Sequence, residues 1–318
     1  MDSRHLRLFL RFTTITLVML YLVVLAGSVV RATGSGMGCP DWPKCFGHFI
    51  PPTDVSQLPP DYKERFAVAG KPVADFNALH TWVESVNRWI GALSGMTMLL
   101  AAFYAFRLRR EKRSLFLLSL FALFLFGLTA WMGKVVVGTN LQPLMITLHM
   151  VNALATIAVA IALITQGKQL RGDVREQLSP ALRRAVFAAI ALTFAQVILG
   201  TQVREGVDTM NEQMSGTHRE TWLAQLGAIL TSHRIMAWPV LLLNVWIFYR
   251  LRKFYKWDFF HKLGLALLLL VAAEFAAGLI LFYFDLPAFA QPAHMLLAAI
   301  LFGVQFALLA SGKVSTRE

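Results

Sequence analysis

Among the histidines in apolar stretches long enough to cross a membrane are His149, His233 and His294. An ionisable side chain is costly in such a stretch and usually faces the interior of a helix bundle. A lone histidine there is commonly a helix-to-helix hydrogen bond, but these three recur near the outer starts of even-numbered stretches. His233 and His294 come at similar depth from two stretches that begin on the same side. That arrangement suits two axial imidazoles holding a haem iron between helices. Zinc suits it less, because it prefers four closely spaced ligands and no third is evident.

The chain repeats itself. Gly27-Ser-Val-Val-Arg31 ends the first stretch and Gly200-Thr-Gln-Val-Arg204 ends the fifth. Asn87-Arg88 corresponds to His233-Arg234 at an offset of 146. Gly133 precedes His149 by sixteen positions, as Gly278 precedes His294, at an offset of 145. A parallel duplication of four helices places a pseudo-two-fold axis along the membrane normal and offers one pocket per half.

The two halves differ at two positions. Asn87 stands where His233 is expected, so a haem in the first half is held by His149 and open or weakly held opposite it. An open axial position permits chemistry, whereas two strong ligands favour electron transfer. Glu84, three residues before Asn87 on the same helical face, matches Leu230. It reads either as a proton-moving acid or as the local ion-pair partner of Arg88. His80, one turn pair before Asn87, reads as an interfacial residue at a helix entrance, and Glu274 as a buried acid with no evident partner. Arg31, Arg88, Arg204 and Arg234 end spans in repeat-related pairs; they can bind haem propionates or simply snorkel.

After the first stretch comes Gly34-Ser-Gly-Met-Gly-Cys39-Pro-Asp-Trp-Pro-Lys-Cys45-Phe-Gly-His48. Two cysteines six apart in a Gly/Pro turn on the oxidising side can close a disulfide, read here as a short, exposed ring of the labile kind. The spacing is not that of covalent haem attachment, and a Cys39/Cys45/His48 metal site is unspecific. Residues 51–78 are rich in proline and charge and read as a lid or docking loop.

These residues need helices in lipid to position them. The 318-residue chain is 57% hydrophobic and only 15% charged, against about 25% charged in ordinary globular domains. Two cysteines exclude a disulfide-framework fold. The net charge of +12 lies in short loops between apolar blocks, which excludes a nucleic-acid partner. Eight spans are predicted at 12–30, 82–106, 114–137, 144–166, 185–203, 223–249, 260–284 and 290–311. The first reads as a retained helix rather than a cleaved signal peptide, because its end is repeated later. Twenty of the thirty Lys and Arg fall at the amino end, in 107–113, 168–184 and 250–262, and at Lys313 and Arg317. Both termini are therefore expected in the cytoplasm and the cysteine loop outside. The expected fold is an all-α integral membrane protein, with eight transmembrane helices forming two pseudo-two-fold-related four-helix bundles. Its halves are 1–167, including the outer loop 31–78, and 168–318.

The Arg31–Cys45 run, Glu84-x-x-Asn87-Arg88, and the repeat carrying His149, His233-Arg234 and His294 resemble the haem A synthase family across all eight spans. The resemblance implies oxidation of the C8 methyl of haem O to a formyl group, giving haem A for cytochrome oxidase assembly. It implies haem b between His233 and His294 in the second half, with Arg204 and Arg234 beside it. It implies substrate haem O in the first half, with His149, Asn87, Arg31 and Arg88 around it, Glu84 as the catalytic acid and Cys39–Cys45 as the family's disulfide. Asn87 departs from the family's histidine. Expected partners are the haem O-producing enzyme, an electron donor and the bilayer of a bacterial cell membrane; a homo-oligomer is compatible. The alternatives are a two-haem cytochrome b carrier without its own chemistry, and a repeat-built transporter in which the histidines handle protons or substrate and no haem binds.

Overall fold

The computed structural model describes residues 3–172, 178–214, 216–255 and 258–311. Lys313 and Arg317, used above for orientation, lie outside them, as do parts of the loops 168–184 and 250–262. The chain divides into two compact units, Met1–Gly167 and Lys168–Glu318.

The first unit contains α1 (Ser3–Ala32), the short α2 (Tyr62–Arg65), α3 (Ala78–Arg107), α4 (Arg113–Gly138) and α5 (Pro143–Arg171). The second contains α6 (Pro180–Gln213), the short α7 (Arg219–Gln225), α8 (Gly227–Phe254), α9 (Asp258–Tyr283) and α10 (Ala290–Ser311). Among the described residues, eight of these helices are long and apolar enough to cross a membrane. Large apolar side chains such as Leu99, Phe103, Phe124, Leu242 and Leu269 lie exposed on their outer faces. Such faces are stable only against lipid, since water penalises apolar area by about 25 cal/mol per Å². This is an integral membrane protein.

Several boundaries depart from the hydropathy reading, among them the start of α1 at Ser3 rather than 12 and the end of α5 at Arg171 rather than 166. α3 begins at Ala78 rather than 82, because the Asn77 side chain accepts the His80 N–H and caps a polar first turn. α6 runs to Gln213, ten residues past its apolar core, with a charged end that hydropathy does not register. The predicted sixth span, 223–249, merges two elements: α7 ends at Gln225, and α8 starts anew at Gly227, whose φ of +53° breaks the helical path.

Inside each unit, polar side chains tie the helices together. In the first, Asn152 of α5 donates to Leu125 O (2.9 Å) and Thr129 Oγ1 (2.6 Å) of α4. In the second, Gln305 of α10 donates to Thr193 of α6 (2.9 Å) and Asn244 of α8 (3.0 Å). Lipid supplies no competing water, so such bonds select which helix faces pair. Around the second network packs a core that includes Leu182, Val186, Ile247, Phe260, Leu267 and Leu308.

The loop between α1 and α3 is folded as a cap. Cys39, Cys45, Phe46, Leu58, Tyr62, Val68 and Val73 form their own apolar cluster. The Asp41 carboxylate closes the turn by accepting the N–H groups of Phe46 (2.5 Å) and Gly47 (2.9 Å). Gly38 lets this cap lie directly on α3: a Cβ there would overlap the His80 carbonyl. Thr81 Oγ1 donates to Gly38 O (3.0 Å) across the same contact.

Candidate haem sites

Each of the four positions singled out by the repeat faces a glycine on a neighbouring helix. A methyl group added at Gly27 would lie 3.8 Å from Asn87 Oδ1; at Gly133, 3.6 Å from His149 Cε1; at Gly200, 3.3 Å from His233 Cε1; at Gly278, 3.5 Å from His294 Cε1. The glycines thus form shallow seats that bring each ring or amide close to a helix backbone. The rings of His149, His233 and His294 also lie near the backbone of Thr129, Gln196 and Glu274, four residues before the respective glycine. None of those contacts is a well-aligned hydrogen bond, and Asn87 Oδ1 is likewise a buried atom with no partner among the described residues.

In the second unit the structure brings His233 of α8 and His294 of α10 together, with ring centroids 6.4 Å apart and planes at 77°. Two metal–imidazole bonds of about 2.0 Å, with about 1.1 Å from nitrogen to ring centre, require about 6.2 Å. The pair therefore has the spacing to hold one iron, and the buried ring nitrogens and the glycine seats fit a bis-imidazole haem. Gln196 of α6 donates to the His233 carbonyl at 2.9 Å, and the same amide nitrogen lies 3.5 Å from His233 Nε2. Glu274, which has no evident partner in the sequence, stands with Oε1 3.1 Å from His294 Nδ1.

In the first unit, Glu84 and Arg88 form an ion pair of 2.5 Å, with side-chain exposures of only 5% and 14%. The other carboxylate oxygen accepts the Cys39 N–H at 2.8 Å. Arg88 also donates to the carbonyls of Cys39 (2.7 Å), Asp41 (2.5 Å) and Lys44 (2.9 Å). The ion-pair reading of Glu84 therefore describes its geometry, and the arginine faces the cap. Cys39 and Cys45 are joined in a disulfide. The expectation of an exposed ring is corrected: Cys39 is 0% and Cys45 3% exposed, because the apolar cap closes over them. Ser85 Oγ lies 3.2 Å from Cys39 Sγ. A partner thiol has no access to either sulfur while the cap is closed.

The remaining arginines differ. Arg204 pairs with Asp208 (2.7 Å) and donates to Gln291. Arg234 is exposed and stacks over Phe282 at 4.0 Å. Arg31 closes α1 in its last turn. His80 contributes its backbone to the Gly38 contact, and its ring is half-buried. Gln196, Gln291 and Thr129 were not anticipated. For the two glutamines the available signal was an amide inside an apolar span; for Thr129 it was the offset of 145, which aligns it with Glu274.

Residues 10–306 match the COX15-CtaA family, described as cytochrome oxidase assembly protein. Among curated relatives, a protein of Shewanella oneidensis named heme A synthase is 26% identical over 58% of this chain and 54% of its own length. One of Alkalihalophilus pseudofirmus with the same name is 24% identical over 63% of this chain and 60% of its own. A third, from Halalkalibacterium halodurans, also named heme A synthase, is 24% identical over 92% of both chains. The chain thus spans little more than half the length of the first two relatives it matches. The family match extends over nearly all of the described helices and both candidate haem sites, and the chain belongs to the COX15-CtaA family of cytochrome oxidase assembly proteins.

Proposed function

We propose that this protein is a haem A synthase: a membrane oxidoreductase that converts the C8 methyl of substrate haem O to a formyl group, using a resident haem b. The observation that carries the reading is the His233–His294 pair, spaced at 6.4 Å for one iron, in a chain of this family. When bound, haem b supplies one-electron redox chemistry.

The protein's own groups divide the remaining work. His233 and His294 hold the cofactor from α8 and α10. His149, on its Gly133 seat, anchors the iron of the substrate from one side. Asn87 is a poor ligand and leaves the opposite side weakly held. Glu84 is the acid nearest in sequence to that position. Moving a proton from the substrate requires it to exchange the Cys39 N–H or the Arg88 guanidinium for that proton. Of the four arginines assigned to propionates, Arg88 is engaged by Glu84 and the cap and Arg204 by Asp208, and Arg234 is more exposed than these or Arg31. Both termini are assigned to the cytoplasm and the cap to the outer face of a bacterial cell membrane. Haem O, the enzyme that makes it, an electron donor and the bilayer are the partners this reading requires.

A second reading is favoured by one observation: both oxygens of Glu84 are already bound, as in a purely structural acid. A membrane cytochrome that only passes electrons needs no more than that. Expression in cells that accumulate haem O, followed by mass analysis of extracted haems, separates the two. Haem A above the empty-vector level supports synthesis; unchanged haem O with bound haem B supports the carrier. A purified protein without a Soret band overturns both.

A further inference from the structure

An acid at Glu274 is costly to keep in the middle of a membrane helix, and among the described residues no lysine or arginine pairs with it. Its Oε1 lies 3.1 Å from His294 Nδ1, while Oε2 is buried with no hydrogen-bond partner. The ring and the carboxylate are close but imperfectly aligned, a state common in sites that tighten once loaded. The corresponding position in the first unit is Thr129, whose hydroxyl accepts from Asn152 (2.6 Å) and donates to the Leu125 carbonyl (2.8 Å). Simple packing at this place is thus met by a small neutral side chain. His149 and His294 share the glycine seat and the nearby backbone. The carboxylate is what the second unit adds.

We infer that Glu274 is a positioning residue for the resident haem, acting through His294. Its carboxylate accepts the Nδ1–H of the imidazole, fixes the tautomer that leaves Nε2 for iron, and makes that ring a stronger donor. A stronger donor backed by negative charge favours ferric over ferrous iron, so the second site is held at a lower reduction potential than an imidazole without such a partner would give. Isosteric Gln retains an acceptor but loses the charge; Leu removes both.

This rests on the bis-imidazole reading proposed above, and the test separates the two. Full-length protein is purified with its haem, and parent, Glu274→Gln and Glu274→Leu are compared by redox titration on the visible bands and by electron paramagnetic resonance of the ferric state. The expected result is a midpoint that rises from parent to Gln to Leu in molecules that keep low-spin haem, with haem retention falling by about tenfold or more in Leu. A purely packing role would lower yield without a graded midpoint. Midpoints equal to the parent in Gln overturn the inference even if Leu does not fold. A parent lacking a low-spin bis-imidazole signal, or a His294→Ala variant that keeps it, overturns the underlying ligand assignment and the inference with it.

Discussion

The two units use the same glycine seats and put their acids in different places. In the first, Glu84 stands three residues before Asn87 on the same helix and is bound to the cap through Arg88 and Cys39. In the second, Leu230 takes that position, and the acid is Glu274 on a neighbouring helix, behind His294. Glu84 is thus tied to the cap, whereas Glu274 stands beside an imidazole; under the proposed function the first would act at the substrate and the second on a ligand. The first unit has one imidazole and an amide, the second two imidazoles. Under the proposed function, the duplicated frame would hold the resident cofactor in the second unit and the substrate in the first.

Several substitutions test that contrast. The largest effect is expected at a paired ligand: His294→Ala lowers the haem content of purified protein, measured as the pyridine haemochrome, by at least about tenfold. Asn87→Ala leaves the resident haem in place, and equal losses from both would erase the distinction between the units. Next come the repeat-related arginines. Arg88→Ala strands the nearly buried Glu84 and destabilises the first unit by about 3–5 kcal/mol, read as thermal unfolding in detergent. Arg234→Ala, on an exposed residue stacked over Phe282, costs about 1 kcal/mol or less. Similar costs at both positions would mean that the cap does not depend on Arg88.

Asn87→His makes the first unit more like the second. Added haem should bind there about tenfold more tightly, about 1.4 kcal/mol, with a second low-spin resonance signal; no new signal would show that position 87 does not face the iron. The smallest effect separates two seats within one unit. A Cβ at Gly200 would press on His233 at 3.3 Å, whereas one at Gly278 meets His294 at an ordinary 3.5 Å. Gly200→Ala should therefore cost about 1 kcal/mol of haem affinity, and Gly278→Ala less than about half of that. The reverse order, measured by haem transfer to an acceptor protein, would remove steric seating as the cause.

Much of the architecture is legible along the chain. Eight spans are visible because hydrocarbon leaves an isolated segment no choice but a helix, and the Gly–His spacing of sixteen is visible because it recurs. Polar ends are harder to read: α6 extends to Gln213 and α3 starts at the Asn77 cap, since a charged or polar turn beyond the hydrocarbon adds nothing to hydropathy. The merging of α7 with α8 has the same origin, because a single positive-φ glycine does not interrupt an apolar run.

The amino-acid sequence alone determined that this is a membrane protein with eight spanning helices, with repeated glycine, arginine and histidine positions and an asymmetry at Asn87 and Glu84. Those properties are carried by local composition and by comparison of the chain with itself. Only the tertiary structure decided that Arg88 turns onto the cap carbonyls, that the disulfide is covered, and that Glu274 stands behind His294, twenty residues away along the chain. Buried polar groups pair with whatever the facing helix presents, and which faces meet is settled by packing over long sequence separations rather than by any local pattern.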